Sequence, residues 1–386
     1  MPNLDDCLLK FEVPEIIHGV GSLSVVGECA RRLGGERVLL VTDPGVIKAG
    51  WLDETIKYLE KEDLKYILYD NVVSNPRDFQ VEIGVDLYLK KKCDVIVALG
   101  GGSPIDTAKG IGILASNNGR IYDYEGCNLI TQPVPPMVCL PTTAGTGADV
   151  SQFAIVTDTR RSMKMTILSR AIMPDISIID PRFLLTLPEE LIASTGMDAL
   201  THAIEAYVSS LSWPLTDPHS IHAVKLASMH LVRATQTRDL SALTGMTIAS
   251  LEAGIAFSNA ILGAVHALAH PLGGLYDLHH GLVNSTLLPV VVRQNMEHAQ
   301  DKFANVARAM GVKSRGREAK DLASEVPEKI SRLIEELGLP ARLSQLGVKK
   351  EDIPRLAQMA EEEVCMLTNP YHYSVAEIEK IYREVW

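Results

Sequence analysis

The stretch DVIVALGGGSPIDTAKGIGILA, residues 94–115, decides the fold of the first half of the chain. It opens with an almost continuous apolar run, which is typical of a parallel strand buried on both faces. Three glycines follow at 100–102, and Ser103 with Pro104 predicts the first turn of a helix. Glycines let backbone approach a phosphate closely, and a helix start offers it free N–H groups. The stretch predicts a nucleotide-binding turn, although a tight turn without a ligand would use the same residues.

Five other runs of strand-forming residues flank this unit and alternate with helical stretches. They are 37–42, 65–69, 137–141, 153–157 and 175–180. Strands that alternate with helices predict βαβ units and a Rossmann-like, doubly wound parallel sheet. The glycine turn is not GxGxxG and lacks the Lys-Ser/Thr pair of a P-loop, so the standard versions of both nucleotide folds are poor matches.

Helical periodicity dominates after Pro181, and convincing strands disappear. We therefore predict two domains, an α/β domain over residues 1–180 and an all-α domain over residues 181–386. We expect the active site in the cleft between them, because ligand sites are common at domain interfaces.

A second glycine-rich loop, LPTTAGTGAD at 140–149, also follows a predicted strand. Its threonines supply hydroxyls and its glycines allow close approach, so the two loops together suit a dinucleotide that lies across a crevice. Asp43, at the end of the first predicted strand, would accept hydrogen bonds from the adenosine ribose and repel a 2′-phosphate, which predicts NAD in preference to NADP. A turn-forming Asp before Pro44 and Gly45 explains Asp43 equally well.

Asp198 and His202 stand four apart in TGMDALTHAIEAYV, so a helix places both on one face, one turn apart. Candidate histidines follow as the pair His266 and His270 and as neighbours at 279–280, and spacing does not choose within either pair. A site of one carboxylate and several imidazoles without thiolate suits Fe(II) or Zn(II). A divalent ion bound by one carboxylate and three neutral imidazoles keeps one net positive charge. That charge can polarise a carbonyl.

Composition fits a large enzyme with substantial cores, since 46% of the 386 residues are hydrophobic. The net charge of −11 argues against nucleic acid or an anionic membrane as the main partner. No apolar run approaches the ~18 residues of a membrane span, and the acidic N-terminus does not resemble a signal peptide. The six cysteines are scattered and form no CxxC pair. We therefore expect a cytoplasmic protein with reduced thiols.

Five segments spread over the whole chain resemble signatures of the iron-containing (group III) alcohol dehydrogenases. They are GGGSPID, PTTAGTG, GMDALTHAIEAY, FSNAILGAVHALAHPLGG and HGLVNSTLLP. The resemblance implies a dehydroquinate synthase-like fold, with most similarity to lactaldehyde reductases and short-chain alcohol dehydrogenases. It also implies hydride transfer between NAD(H) and a small alcohol or aldehyde, with Fe(II), or alternatively Zn(II), to polarise the oxygen. The family further implies a homo-oligomer, expected to be a dimer.

The resemblance also implies roles for individual residues. The implied metal ligands are Asp198, His202, His266 and His280. The implied catalytic residue, a proton relay, is His270. The implied NAD contacts are Asp43, Asn75, Gly101, Gly102, Ser103, Asp106, Thr142, Thr143, Thr146, Lys164 and Phe183. The implied substrate pocket contains Phe153, Phe257 and Cys365.

Two positions depart from the family pattern. Asp149 replaces the usual Glu of GTGSE and keeps the charge on a shorter arm, and Phe183 stands where leucine is usual. A larger ring at 183 would tighten the cofactor site or simply pack in the core. These changes affect the details of NAD binding. They do not affect the predicted fold or the metal ligands.

Phe153 and Phe257 would give a narrow apolar pocket with few donors for a second hydroxyl. We therefore predict short primary alcohols and aldehydes in preference to diols. If both rings are ordinary core residues, this preference has no basis. The first alternative is then a lactaldehyde reductase, which is a 1,2-propanediol oxidoreductase.

Other functions remain open at this point. A dehydroquinate synthase-like lyase would share the fold, NAD and metal, but its acidic substrate needs Lys or Arg, and residues 247–289 contain neither. A glycerol dehydrogenase usually binds its metal with one Asp and only two His. A non-catalytic subunit that binds NAD and metal would use the same motifs and would show no turnover.

Overall fold

The computed structural model describes residues 10–386, so Cys7 and most of the acidic N-terminus considered above lie outside the described residues. The chain divides into two compact units. The α/β unit comprises Val13–Leu187, and the helical unit comprises Pro188–Trp386 together with residues 10–12.

The boundary between the units lies at 187/188, seven residues beyond the predicted one. The reason is a 3-10 helix, Pro181–Thr186, that belongs to the α/β unit. Its Phe183 packs edge-on against Trp51, and the Trp51 indole N–H donates a hydrogen bond to Thr186 Oγ1 at 2.8 Å. The sequence pattern therefore changes from strands to helices before the chain leaves the α/β unit.

The α/β unit is built on a parallel sheet. Its strands are β1 (Glu15–His18), β2 (Arg37–Val41), β3 (Lys65–Tyr69), β4 (Val95–Gly100), β5 (Gly126–Cys127), β6 (Met137–Pro141), β7 (Phe153–Asp158), β8 (Met163–Leu168) and β9 (Ile176–Ile179). Its α-helices are α1 (Val26–Arg32), α2 (Pro44–Lys48), α3 (Trp51–Lys61), α4 (Asp78–Lys91) and α5 (Gly102–Ser116). Six strands pair in parallel in the order β1-β9-β6-β4-β2-β3. The predicted α/β fold with a parallel sheet is confirmed, and β4 is buried along its whole length, as its apolar run predicts.

The run 153–157 forms β7, but this strand lies outside the main sheet. β7 pairs antiparallel with β8, a strand that was not predicted, and β5 completes this second sheet. Only residues 159–162 join β7 to β8, and so short a link permits a hairpin and no parallel crossover. β1 was not predicted either, because it is a four-residue edge strand with partly exposed side chains.

The helical unit contains no strand among the described residues, which confirms the predicted all-α part. Its helices are α6 (Glu189–Val208), α7 (Asp217–Thr237), α8 (Leu240–Ala260), α9 (Ala264–Tyr276), α10 (His280–Asn295), α11 (Gln300–Ala309), α12 (Ala319–Ala323), α13 (Val326–Glu336), α14 (Ile353–Glu361) and α15 (Val375–Val385). α6 and α8 are buried on nearly every side and form the centre of the unit. Ile261, with a φ of 62°, ends α8 and lets the chain turn before α9 begins.

One described helix, α8, is long and apolar enough to cross a membrane by length and composition. However, 67% of its apolar window is buried inside the protein. A core helix passes the same test, and the burial of α8 between its neighbours accounts for its apolar character.

Candidate functional site

Four side chains of the helical unit come together in what we call the ligand cluster: Asp198, His202, His266 and His280. The first two lie one turn apart on α6, the third lies on α9 and the fourth begins α10. The three histidine Nε2 atoms lie 3.9, 4.0 and 3.9 Å from Asp198 Oδ1. Three of the side chains are at most 5% exposed, whereas His280 is 24% exposed, so the cluster is least buried at His280.

Gly281 determines how closely α10 approaches α6. A Cβ atom at this position would overlap the backbone oxygen of Ser194, one turn before Asp198. Only glycine therefore lets the first turn of α10 rest directly on the α6 backbone. This contact places His280 beside Asp198, which gives a physical reason for the glycine that flanks this histidine.

Glu205, seven residues after Asp198 on α6, supports His266 from outside the cluster. Its Oε2 lies 2.5 Å from His266 Nδ1, and its Oε1 accepts a hydrogen bond from Val265 N–H at 2.6 Å. Donation from Nδ1 to Glu205 leaves the lone pair of His266 on Nε2, which is the atom nearest Asp198. Burial is the main cause that lowers the pKa of His266 well below its ordinary value, and the neighbouring His202 is the second. The ring is therefore neutral. A neutral imidazole is the form that binds a metal.

Asn284 lies one turn after His280 on α10 and is fully buried. Its Nδ2 lies 2.7 Å from Asp198 Oδ1 and 3.1 Å from the Nε2 atoms of both His266 and His280. Its amide nitrogen therefore contacts three of the four members of the ligand cluster.

The donor set of the ligand cluster fits a divalent metal. Donors at ~2.1 Å from one ion lie ~3.4 Å apart in a tetrahedron, so the observed 3.9–4.0 Å separations from Asp198 Oδ1 close with small side-chain movements. One carboxylate and three imidazoles suit Fe(II) or Zn(II). The buried Asn284 Oδ1 has no hydrogen-bond partner among the described residues, and rotation of the carboxamide would let this oxygen coordinate a cation in the cluster.

His270, one turn after His266 on α9, lies beside the ligand cluster and belongs to a second group with Glu363 and Cys365. Its ring stacks on that of His280, with centroids 5.5 Å apart. His270 Nδ1 lies 2.7 Å from Glu363 Oε1, which is a hydrogen-bond distance and shorter than the separation of two ligands on one ion. Burial acts to raise the pKa of Glu363, but the charge of His270 and its hydrogen bond prevail and lower it to about 2. The pair is therefore a hydrogen-bonded dyad, with Nε2 as the remaining atom of His270 for proton exchange.

The predicted pocket residues divide between the two units. Phe257, on α8, packs against the ligand cluster, with its ring centroid 4.6 Å from that of His202. Cys365 is buried in the group that contains His270. Phe153 belongs to the α/β unit, where it is buried at the start of β7.

The two glycine-rich loops of the α/β unit, residues 100–103 and 142–146, pack against each other, and we call them the paired loops. A Cβ atom on Gly102 would lie 2.9 Å from Thr146 Cγ2, closer than ordinary packing allows. Gly102 is the first residue of α5, so the paired loops lie at the helix end that attracts anions. The predicted contacts in this region are Gly101, Gly102, Ser103, Thr142, Thr143 and Thr146.

Asp43 lies next to the paired loops, since a Cβ atom on Gly100 would be 3.3 Å from Asp43 Oδ2. Its other oxygen, Oδ1, accepts hydrogen bonds from the N–H groups of Gly45 at 2.7 Å and Val46 at 3.0 Å. These bonds cap the start of α2. The carboxylate thus forms the turn with one oxygen, while its second oxygen lies beside the glycine loop.

Asp106 and Lys164 share an electrostatic environment in the α/β unit. Burial raises the pKa of Asp106 to about 7, and the charges of Lys109 and Lys164 act against this rise. Lys109 is itself fully buried and donates hydrogen bonds to the carbonyls of Ser151 and Phe153, both at 2.7 Å. This lysine, which sequence reasoning did not single out, ties α5 to the segment that follows the second loop.

The remaining predicted NAD contacts lie elsewhere in the unit. Asn75 has a left-handed backbone, with a φ of 52°. Phe183 is fully buried and packs on Trp51, with ring centroids 4.9 Å apart, so it is part of the core. Asp149, the other departure from the family pattern, accepts a hydrogen bond from Ser177 Oγ at 2.6 Å within the core.

Sequence reasoning also missed Glu205, Asn284 and Glu363. Glu205 follows His202 by three residues and Asn284 follows His280 by four, so helical spacing carried a signal for both. Glu363 carried no such signal, because it lies 93 residues from His270 and only the tertiary structure joins them.

Comparisons with known proteins cover nearly the whole chain. A family model described as "Iron-containing alcohol dehydrogenase" matches residues 14–181, and one described as "Fe-containing alcohol dehydrogenase family, C-terminal" matches residues 192–386. The chain is 42% identical to 1,3-propanediol dehydrogenase of Citrobacter freundii, over 98% of this chain and 99% of that protein. It is 38% identical to NAD-dependent methanol dehydrogenase of Bacillus methanolicus, over 96% of this chain and 98% of that protein. A crystal structure of 1,3-propanediol oxidoreductase matches with a TM-score of 0.96 at 41% identity, over 98% of this chain and 100% of that chain.

Proposed function

The chain belongs to the iron-containing alcohol dehydrogenase family, and from this premise we propose that it interconverts short primary alcohols and aldehydes with NAD(H) at a divalent metal bound by the ligand cluster. The family predicted from the sequence and its oxidoreductase class are confirmed by these matches. Fe(II) is the proposed native metal, and Zn(II) is the alternative.

One observation carries the metal site: three imidazoles present Nε2 at 3.9–4.0 Å from the same carboxylate oxygen, and only His280 of the four side chains is more than 5% exposed. Without a cation, the two N–H groups of Asn284 cannot satisfy all the acceptor lone pairs that these four side chains bring together. A divalent ion bound there would act as a Lewis acid on the substrate oxygen and make alcohol deprotonation accessible near neutral pH.

The side chains around the cluster have separate tasks. Glu205 fixes the orientation of His266 and directs its Nε2 inward. His270, held at Nδ1 by Glu363, would accept or return the substrate proton at Nε2. Phe257 covers one face of His202 and excludes water from that side.

The paired loops and Asp43 are the proposed NAD site. The α5 N-terminus would bind the pyrophosphate, and the glycines would let the backbone reach it. Asp43 Oδ2 would accept from the ribose hydroxyls and disfavour a 2′-phosphate, which favours NAD over NADP. NAD would accept the hydride from the alcohol carbon. Asn75, Asp106, Lys164 and Phe183 remain predicted contacts.

The proposed substrate class is short primary alcohols, because Phe257 is an apolar ring packed on a member of the ligand cluster. A second candidate is a short diol, since the relative in Citrobacter freundii is named for 1,3-propanediol. We also propose a homodimer in the cytoplasm, with no nucleic acid or membrane as partner. The five described cysteines are free thiols, which supports a reducing compartment.

The test is an NADH-oxidation assay on metal-stripped protein. Fe(II), Zn(II), Ni(II) or Mn(II) would be restored anaerobically, with C2–C6 aldehydes, lactaldehyde and glyceraldehyde as substrates. We expect metal-dependent turnover that His266→Ala abolishes. His222→Ala removes an exposed histidine outside the cluster and is the matched control, which should retain turnover.

Turnover that is independent of metal would contradict the proposed site. NADH binding without turnover with any metal or aldehyde would instead favour a non-catalytic NAD- and metal-binding subunit. With 3-hydroxypropanal added to the same assay, a higher kcat/KM for it than for propanal would favour the diol candidate.

A further inference from the structure

Asn284 contacts the ligand cluster through its side-chain amide. It follows His280 by one helical turn, so both side chains leave α10 on the same face. It is fully buried, and its Nδ2 lies 2.7–3.1 Å from Asp198 Oδ1, His266 Nε2 and His280 Nε2. These three atoms are also proposed metal donors.

The amide nitrogen and a metal ion therefore need the same electron pairs. An imidazole nitrogen has one lone pair, so a metal bound to His266 Nε2 or His280 Nε2 excludes a hydrogen bond from Asn284 to that atom. An N–H group that points at a cation is also electrostatically unfavourable. The Asn284 NH₂ group cannot keep this arrangement once an ion is bound.

The other end of the same carboxamide has the opposite problem. Asn284 Oδ1 is buried and makes no hydrogen bond within residues 10–386. A buried acceptor without a partner destabilises the folded protein. Rotation about the Cβ–Cγ bond exchanges Oδ1 and Nδ2 with little change in shape, so the side chain can present either group to the cluster.

We propose that Asn284 is a metal-site residue whose carboxamide reverses on metal binding. The NH₂ group directs its two N–H donors at these three atoms of the ligand cluster before the ion enters. Afterwards Oδ1 turns toward the ion, or toward an oxygen bound to it. This inference rests on the metal site proposed above and not on the reaction. Asn284 thus stabilises both forms of the site and contributes to metal affinity.

The test compares two substitutions that separate the two ends of the amide. Asn284→Leu removes both the donor and the acceptor at similar volume. Asn284→Asp keeps the acceptor and replaces the donor, so it should destabilise the metal-stripped protein through repulsion with Asp198 but preserve or increase metal affinity. The probes are Zn(II) and Co(II) alone, titrated into metal-stripped protein in competition with a chelator, without NAD or substrate.

For Asn284→Leu we expect a Zn(II) Kd that is weaker by about 10- to 100-fold, the usual effect of losing a group that supports metal ligands. The visible absorption of the Co(II) protein should also change, because the surroundings of the ion differ. Asn305→Leu removes another hydrogen-bonding asparagine of the helical unit, away from the cluster, and should keep the wild-type Kd. If Asn284→Leu does not fold, Asn284→Asp alone still tests the acceptor role.

Three outcomes would overturn the inference. An unchanged Kd for Asn284→Leu, with equal losses of Tm in stripped and loaded protein, would make the amide purely structural. A tighter Kd would mean that the amide only competes with the ion. A Kd weakened equally by Leu and Asp would assign the effect to the NH₂ group. Failure of the metal site itself is distinct, because His266→Ala would then keep wild-type Zn(II) affinity.

Discussion

The ligand cluster of the helical unit is made of side chains, whereas the paired loops of the α/β unit are made mostly of backbone. In the cluster, Asp198, His202 and His266 are buried, and Glu205 and Asn284 contact members of the cluster. In the loops, close approach depends on the absence of side chains, as at Gly102 beside Thr146. A site for a compact cation needs several precisely directed donors, while a site for a phosphate needs room and N–H groups. The two sites should therefore respond differently to substitution.

The strongest test of this comparison is Gly281, because the ligand cluster, although made of side chains, also depends on this glycine. In Gly281→Ala, the new Cβ meets the Ser194 carbonyl oxygen, which belongs to helix backbone and cannot move aside. We expect a loss of about 1–3 kcal/mol or more in the free energy of unfolding, together with weaker Zn(II) binding. Thermal unfolding and metal titration measure both. Gly112→Ala is the control, because its Cβ would meet nothing closer than 3.6 Å. Wild-type Tm and Zn(II) affinity in Gly281→Ala would show that α10 can be repositioned freely.

Glu363→Gln sharpens the distinction between binding a metal and moving a proton. The amide can still accept from His270 Nδ1, but the charge that favours this orientation is lost. We expect kcat to fall on the order of 10- to 100-fold, with bound metal and the aldehyde KM unchanged. Steady-state kinetics and metal analysis measure this split. Glu362→Gln, the exposed neighbour, should behave as wild type. Parallel loss of metal and kcat would instead make Glu363 part of the metal site.

Gly102→Ala tests whether the paired loops depend on the absence of a side chain. The added methyl would press on Thr146 Cγ2, so we expect NADH to bind about tenfold more weakly, or ~1.4 kcal/mol. Thr146→Ser removes that methyl group and should restore part of the affinity in the double variant. Fluorescence titration with NADH measures each Kd, while Zn(II) affinity should not change. Equal NADH affinity in wild type and Gly102→Ala would mean that the loops separate readily.

Asp43→Asn gives the smallest expected effect and separates the two interpretations of this residue. Asn caps a helix about as well as Asp, so Tm should be preserved. The lost charge should reduce the preference for NAD over NADP by about fivefold, as expected for ~1 kcal/mol between partly solvated charges. The ratio of kcat/KM values for the two cofactors measures this. An unchanged ratio would leave Asp43 as a turn residue only.

The strands of the main sheet were predictable where burial is complete, because a parallel strand covered on both faces needs a continuous apolar run. β4 and β6 are examples. β1 and β8 were not predicted, since short or half-exposed strands carry a weak pattern and depend on their partners. The unit boundary was placed too early for a related reason. The segment after β9 has helical character, but Phe183 packs on Trp51 of the α/β unit.

The sequence by itself determined the fold class, the glycine loops and the i, i+4 pair of Asp198 and His202, because each depends on local spacing along one strand, turn or helix. It could not choose His266 over His270 without a family resemblance, since both lie on one face of one helix. Tertiary structure decided that His266 meets Asp198 while His270 meets Glu363. It also decided that Gly281 brings α10 onto α6 and that Asn284 reaches three donors at once. Contacts between elements far apart in the chain depend on packing, which no spacing rule records.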